Sequence, residues 1–541
     1  MIPQVKKAEV IRYKNGRRGI KITFSFNFED LDRVKSLTER RFYPEGKYWT
    51  APLKMQSIES LKNWNFTLCP ELQQYLRKTK VHINQISEIE VPGLRQELYP
   101  FQKVGVAFIE AKEGRVLIGD EMGLGKTMQA LAWLQLHPEL RPVIIVVPAS
   151  LKLNWAKEAH TWMNRPRIQI LSGTTPNIKL KGEIIIINYD ILHPWMNVLL
   201  AYNPAVLITD ECHYYKSSKA KRTKAVMALG RRIPYVLALS GTPILNRPIE
   251  VYNAVKLIDP TILPTRFEFA MKYCGAKNNG FGWDFSGATN TEELHEKLSI
   301  TIMIRRKKVD VLPDLPDKMR SFIPMELDNE KEYQFAESNF IAFVRGRKGK
   351  EAAERASNAQ ALAEIEGLKQ LAVQGKMKQA IEWITDFLES DQKLVIFAVH
   401  RFVIDTLMER FGTIAVKVDG SVTGLNRQKA VVEFQTNLAT RLFIGNIKAA
   451  GVGITLTAAS NVAFLELPWT PGEMVQAEDR VHRIGQRNNV CIHYLLASGT
   501  IEEKIAKLID QKRKVLDSVL DGEKTDITSL LSKLMDVYEQ H

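Results

Sequence analysis

Residues 115–134 read RVLIGDEMGLGKTMQALAWL. An apolar strand runs into a glycine-rich turn, and Lys126-Thr127 open an amphipathic helix. Gly123 and Gly125 let the backbone curl so that its N–H groups surround phosphate oxygens. The helix N-terminus adds partial positive charge. In such a loop Lys126 reaches the β- and γ-phosphates and Thr127 binds Mg²⁺. Asp120 stands where the strict GxxxxGK[ST] pattern has its first glycine. The run Asp120, Glu121, Met122, Gly123, Leu124, Gly125, Lys126, Thr127 is thus either a cradle for the phosphates of ATP or a chance glycine loop.

The deciding signal lies 84 residues beyond Lys126, where the apolar run AVLIT ends in Asp210-Glu211-Cys212-His213. An acidic pair at the C-terminal end of a buried strand stands where magnesium and an attacking water are needed. Asp210 is expected to hold Mg²⁺ together with Thr127, and Glu211 to orient or deprotonate the water. An ordinary acid at a helix N-terminus is the plain alternative, and it loses its appeal beside the glycine loop. Together the two motifs predict an ATP hydrolysis site.

The strand–loop–helix rhythm extends outward from this centre. Candidate strands lie at 115–119, 143–148, 183–189, 205–210 and 235–240, and again at 393–400, 414–420, 441–446, 461–467 and 490–496. These are continuous apolar runs, as in parallel sheets covered by helices on both faces. They predict an α/β fold of two tandem doubly wound lobes, at 98–305 and 391–520. Between them, 306–390 reads as a linker and a helical protrusion, because 328–389 is helical in composition and free of proline. A C-terminal helix is expected over 521–541, after a break at Asp521-Gly522.

The chain has 541 residues, of which 45% are apolar and 25% charged. That mix fits globular domains and excludes collagen-like or wholly disordered chains. No apolar run approaches the roughly 20 residues that cross a bilayer, so no membrane partner is expected. The N-terminus lacks the apolar stretch of a secretion signal. Cys69, Cys212, Cys274 and Cys491 are far apart, which argues against a zinc site or disulfide framework and for a reducing compartment. Net charge is +14, and the first 80 residues hold 17 basic and 8 acidic side chains. Concentrated basicity at the front points to a polyanion such as nucleic acid. The basic run SSKAKRTK (217–224) reads as surface of the first lobe.

The front segment, 1–80, reads as a small basic α/β domain followed by a linker at 81–97. Two alternating runs flank Asn15-Gly16, a pair suited to a tight hairpin turn. Ile20, Ile22, Phe24 and Phe26 are expected on one face. Helices are expected at 29–41 and near 56–64, with a strand at 47–53.

In QAEDRVHRIGQ (476–486), Arg480 and Arg483 fall three apart, on one face of a helix. They are either arginine fingers for a γ-phosphate or surface partners of Glu478 and Asp479. Other motifs are LYPFQKVGVAFI (98–109), SGTPILNRP (240–248), RRKKVDVLPDLPDK (305–318), DGSV (419–422) and KAAGVGITLTAA (448–459). With these in order over about 98–520, the chain resembles the Swi/Snf-type branch of the superfamily-two helicase-like ATPases, whose two lobes are RecA-like. Asp120 in the glycine position is usual for that family, and Cys212 replaces its more usual alanine or glycine. YCGAKNNGFGWDFSGATNTEELHEKL (273–298) is similar to the HepA-related annealing-helicase branch. RRFYPEGKYW (40–49), with Lys47 and Trp49, is similar to that branch's HARP accessory domain.

The resemblance implies a DNA-dependent ATPase that uses ATP and Mg²⁺, tracks along double-stranded DNA and remodels branched DNA by strand annealing or fork reversal. Alternatives are a duplex translocase that displaces bound proteins such as RNA polymerase, and a non-catalytic DNA-binding scaffold. Gln102 would read adenine, and Gln476, Arg480 and Arg483 would close on the nucleotide from lobe two. Thr242 would couple nucleotide to DNA. DNA backbone contacts are expected from Ser150, Lys152, Asn188, Tyr189, Thr242, His400, Arg401, Lys448 and Thr455. At the front, Arg40, Arg41 and Lys47 would hold backbone, and Trp49 would stack on unpaired bases or else pack in the domain core. A monomer is expected, with single-stranded DNA-binding protein or a polymerase as protein partner. The expected setting is the cytoplasm or nucleoid of a bacterium or virus-infected cell, or a eukaryotic nucleus.

Overall fold

A computed structural model of the chain describes residues 6–13, 18–37, 40–53, 55–79, 86–176, 179–244, 247–278, 283–285, 287–346, 354–422, 424–451 and 453–509. The expected hairpin turn at Asn15-Gly16 and the expected C-terminal helix at 521–541 lie outside these residues. Among the described residues no helix is long and apolar enough to cross a membrane.

Lobe one is built on a parallel seven-stranded sheet. Its order is Met303–Ile304, Arg115–Ile118, Tyr235–Leu239, Val206–Asp210, Val143–Val147, Ile184–Asn188, Ile168–Ile170. All five strands expected from the apolar runs are present, and their inner residues are buried on both faces. Register carries the functional consequence. Asp210 pairs with Leu239, and Leu239 pairs with Ile118. The three chain segments that leave those strands therefore emerge side by side: the glycine loop, Ser240-Gly241-Thr242 and the acidic pair.

Lobe two carries a parallel six-stranded sheet ordered Lys318–Met325, Val490–Ala497, Asn461–Phe464, Leu394–Ala398, Leu442–Asn446, Ala415–Val418. Here the structure departs from the sequence reading. Lys318–Met325, expected within a linker, pairs along its whole length with Val490–Ala497. Its alternating burial marks an edge strand with one face toward solvent, which is why no continuous apolar run announced it. The helices Glu330–Gly346 and Glu354–Phe387 match the helical composition. Tyr333, Phe340, Ile365, Leu368, Met377 and Ile384 join the lobe-two core rather than a free protrusion.

The front domain is a five-stranded mixed sheet backed by helices. Lys6–Arg12 and Arg18–Phe24 pair antiparallel as the hairpin reading requires, and Ile20 and Ile22 are fully buried. Phe26 breaks the expected alternation, at 70% exposed, because the strand ends at Phe24 and Asn27 caps the next helix. That helix, Phe28–Ser36, stops short of 41, and Arg41–Tyr43 becomes a strand instead. Tyr75 of the helix Pro70–Thr79 reaches lobe one, its hydroxyl 2.9 Å from Thr261 Oγ1. Within the expected linker, Ile86, Ile89, Val91 and Leu94 pack on the lobe-one core.

Candidate active site

The glycine loop leaves Ile118 and enters the helix Lys126–Leu136 through Gly125, whose φ of 76° is left-handed. Gly123 has φ 88°, and a Cβ there would stand 2.8 Å from the Cβ of Arg483 in lobe two. It therefore serves both the turn and the close approach of the lobes. Lys126 Nζ lies along the loop and donates to the carbonyls of Asp120 (2.8 Å) and Glu121 (3.3 Å). Burial lowers its pKa, against the pull of Glu211 and Asp120.

The acidic pair lies across the cleft. Asp210 accepts from Trp155 Nε1 at 2.7 Å and from the Glu211 N–H at 2.9 Å. Burial, with the Glu211 carboxylate beside it, raises the Asp210 pKa. Glu211 occupies φ 52°, a conformation that L side chains rarely adopt and that recurs at functional sites. Ser240 Oγ donates to Glu211 Oε2 at 3.1 Å, and His213 Nδ1 lies 3.3 Å from the same oxygen. Burial would push Glu211 up, but the His213 hydrogen bond and charge, with Lys126 and Arg480, bring it below the ordinary glutamate value. The two carboxylates thus sit in different environments, Asp210 pushed up and Glu211 drawn down.

Lobe two closes the far wall. Arg480 donates to the Gln476 carbonyl at 3.0 Å and approaches Met122 Sδ at 3.6 Å. Gln476 Nε2 donates to Thr242 Oγ1 at 3.0 Å. Glu478 and Asp479, the alternative partners of the arginines, are held instead by Lys318, Arg320 and Lys308. Among the described residues no carboxylate lies within ion-pair distance of Arg480 or Arg483. Burial, then the neighbouring Arg480, lowers the Arg483 pKa to about 10. Arg480 is buried and Arg483 half-buried, with Glu158 at the same cleft acting on Arg483, and an anion entering between the two offsets the cost of burying them. Both face a cleft of about 110 Å³ that Gly123, Lys126, Thr127, Asp210 and Glu211 also line.

Other expected residues divide clearly. Thr127, Met122 and Gly125 line the cleft. Leu124 turns inward, fully buried. Gln102 sits under the loop, donating to Leu124 O at 3.1 Å and accepting from Tyr99 N–H at 3.1 Å, so its amide braces the phosphate loop. The Asp120 carboxylate faces away from the cleft into the core, gripped by Arg306 and by Gln129 at 3.0 Å. Glu121 accepts from Lys308 N–H at 2.7 Å.

Ser150, Arg401 and Lys448 are exposed, while Lys152 donates to Leu171 O at 2.9 Å. His400 is tied to Glu466, and Asn188 is buried. Tyr189 is a correction: it is 1% exposed, and its hydroxyl donates to Asp210 O at 2.6 Å, so its side chain braces the acidic pair from the core. Thr455 lines the cleft itself. On the front domain, Arg40, Arg41 and Lys47 are exposed, and the half-buried Trp49 packs against Phe42 in a tilted pair, ring centroids 5.0 Å apart.

Sequence reasoning missed Trp155, Ser240 and His213 as partners of the acidic pair. Ser240 was within reach, since it opens SGTP; the Trp155–Asp210 bond spans 55 residues and leaves no local signal. It also missed Lys308 and Lys318 as the holders of Glu478 and Asp479, although both lie in the quoted RRKKVDVLPDLPDK.

Comparison with known proteins agrees with this geometry. Residues 101–376 match the SNF2-related domain and 375–485 the helicase conserved C-terminal domain. The chain is 33% identical to a Xenopus laevis SWI/SNF-related matrix-associated actin-dependent regulator of chromatin subfamily A-like protein 1, over 92% of this chain and 53% of the relative. It is 33% identical to the Caenorhabditis elegans homolog of that protein, over 92% of this chain and 74% of the relative. It is 36% identical to the mouse DNA annealing helicase and endonuclease ZRANB3, over 80% of this chain and 41% of the relative. The chain thus spans about half the length of the frog relative. With one family model covering half of its length and relatives matching most of it, the chain belongs to the SNF2-related family.

Proposed function

We propose that the chain is a DNA-dependent ATPase that moves along double-stranded DNA and remodels branched DNA by strand annealing or fork reversal. The observation that carries this reading is the convergence of Lys126, Asp210 and Glu211 from one lobe and Arg480 and Arg483 from the other on a single cleft. The branched-DNA part is supported by relatives named as annealing helicases.

The Thr127 hydroxyl and the Asp210 carboxylate are hard oxygen ligands on one cleft and fit Mg²⁺, which supplies charge neutralisation at the phosphates when bound. Lys126 leaves its loop carbonyls for phosphate oxygens. Glu211, held ionised by His213 and Ser240, orients the attacking water and accepts its proton. Arg480 and Arg483 stabilise charge on the transferred phosphoryl group. A cleft of about 110 Å³ is too small for a nucleotide, whose sites run to roughly 300 Å³ and more, so the lobes part to admit it. Opening and closing in step with hydrolysis is the motion that advances the lobes along DNA.

The front domain offers exposed Phe26, Phe28 and Phe42 beside exposed Arg40, Arg41 and Lys47, a combination suited to unpaired bases and their backbone. The test is steady-state ATP hydrolysis without nucleic acid and with single-stranded, duplex and forked DNA and RNA, using Lys126→Ala as the blank. Greatest stimulation by forked DNA supports the reading. Equal stimulation by duplex and fork favours the protein-displacing translocase, and no hydrolysis on any substrate favours the scaffold.

A further inference from the structure

A second concavity, of about 880 Å³, lies at the other end of the lobe-one sheet. The strands Arg115–Ile118 and Tyr235–Leu239 aim their C-terminal ends at the nucleotide cleft. Their N-terminal ends, Arg115 and the turn Ile233-Pro234, line this other concavity. Its wall holds Arg115, Lys224, Arg231, Arg232, Lys256 and Arg266, and no aspartate or glutamate.

Backbone oxygens take the hydrogen bonds of two of these cations. Arg115 donates to the carbonyls of Ile233, Pro234, Leu257 and Ile258, and Lys256 to those of Pro260 and Leu263. Lys256 and Arg266 lie over the Tyr252 ring, 5.8 and 5.6 Å from its centroid. Lys224, Arg231 and Arg232 are exposed, and among the described residues no carboxylate pairs with them. Asp259, outside the lining, is felt by Arg115 and takes the hydrogen bonds of Thr261. A concave, acid-free cationic wall focuses a positive potential. The basic run 217–224 supplies Ser218, Thr223 and Lys224 to this wall.

Position adds the second argument. Pro260 lines the concavity, and its neighbour Thr261 receives Tyr75 of the front domain. The cationic wall is therefore adjacent to the basic, aromatic domain and remote from the nucleotide.

We propose that this concavity is a second nucleic-acid backbone site, which holds phosphates of a duplex arm other than the one in the motor cleft. The inference rests on the branched-DNA reading and deepens it. A junction has more than one arm, and a phosphate site beside the junction-facing domain fixes the angle of the arm leaving it. An acidic peptide shares the charge complementarity, but adjacency to the front domain favours nucleic acid.

The test uses the full chain carrying Lys224→Glu, Arg231→Glu and Arg232→Glu together, with the triple alanine variant as a milder control on folding. Binding to forked DNA and to linear duplex of equal length is measured across a salt series, beside ATP hydrolysis on linear duplex. Fork affinity is expected to fall roughly tenfold or more, and the salt slope of fork binding to fall by about 2–3, one counterion for each lost phosphate contact. Linear-duplex binding and hydrolysis stay unchanged. Equal loss on fork and duplex overturns the site, because the charges then act only as a general field. Fork binding retained by both variants also overturns it and leaves an acidic peptide as the ligand class. A wild-type chain that binds fork and duplex alike defeats the branched-DNA reading itself, whereas a wild-type fork preference that both variants keep defeats only this site.

Discussion

The Gln476 side-chain amide donates to the Thr242 hydroxyl at 3.0 Å, joining lobe two to lobe one near Glu211. The Thr242 N–H in turn donates to Ser240 Oγ at 3.2 Å, and Ser240 Oγ donates to Glu211 at 3.1 Å. A chain of hydrogen bonds thus runs from Gln476, on the helix Pro471–Glu478, to Glu211. That helix ends before Arg480 and Arg483, so the helical face expected to carry both arginines is not formed; they follow in the turn beyond it.

Replacing Thr242 with valine keeps the shape and removes the acceptor. Gln476 then loses its cross-lobe partner, worth about 1 kcal/mol. DNA-stimulated kcat is expected to fall about fivefold to tenfold, while ATP affinity measured by nucleotide fluorescence stays near wild type. Loss of ATP affinity with unchanged kcat would place Thr242 in nucleotide binding instead.

Glu211→Gln retains the volume and removes the charge that orients water. Turnover is expected to drop by about 10²–10⁴ with ATP still bound. Lys126→Ala removes the cation that faces the phosphates, so both binding and turnover fall. Single-turnover hydrolysis with equilibrium ATP binding separates the two outcomes, and a Glu211→Gln variant with full turnover would transfer the base role elsewhere.

His400 gives lobe two a pH signature. Its ring is hydrogen-bonded to Glu466, which also accepts from the backbone N–H groups of Val399 (2.7 Å) and His400 (2.8 Å). The Glu466 bond raises the His400 pKa above its ordinary 6.5, against burial. A raised folded-state pKa contributes stability that is complete below 6.5 and disappears as pH rises through the folded value. His400→Gln is therefore expected to lower the thermal midpoint more at pH 6 than at pH 9. Equal losses at the two pH values would mean that the ring acts only by packing.

The two-lobed plan was legible because parallel strands buried on both faces leave continuous apolar runs, as in VIIVV and IIII. The phosphate loop and acidic pair were legible because their chemistry demands particular residues in short spans. Lys318–Met325 was hidden because an edge strand alternates apolar and polar residues and contains Pro324. Met303–Ile304 was hidden because two residues carry no period. Tyr189 was misjudged for a different reason: a tyrosine beside an asparagine after a strand has the same local sequence whether it faces solvent or core. Its direction is fixed by Asp210 and by the Tyr214 ring stacked at 5.3 Å, neither of which is near it in the chain.

Glu478 tests how the arginine segment is held. Its carboxylate meets Lys318 at 2.9 Å, Arg320 at 2.6 Å and the Tyr494 hydroxyl at 2.5 Å, while the adjacent Asp479 meets Lys308 at 2.9 Å and Lys318 at 3.2 Å. Lys318 and Arg320 come from the edge strand of lobe two and Lys308 from the short helix Lys308–Val311 before it, so the edge strand and its approach anchor the residues preceding Arg480. Burial pushes the Glu478 pKa up, but Lys318 and Arg320 outweigh it and hold the group far below its ordinary value. A depressed folded-state pKa contributes stability that is complete above the ordinary value of 4.5 and is lost progressively as pH falls below it. Removing one partner of a buried ion cluster leaves the rest uncompensated, at about 3–5 kcal/mol. Glu478→Gln is expected to lower the urea midpoint strongly at pH 7, by a little less at pH 4 and by clearly less at pH 2.5. It should also depress kcat, because Arg480 follows directly on the displaced segment, and Lys318→Arg should preserve both stability and turnover better than Lys318→Met. A Glu478→Gln penalty independent of pH, with normal kcat, would show that the cluster neither titrates as described nor positions the arginines.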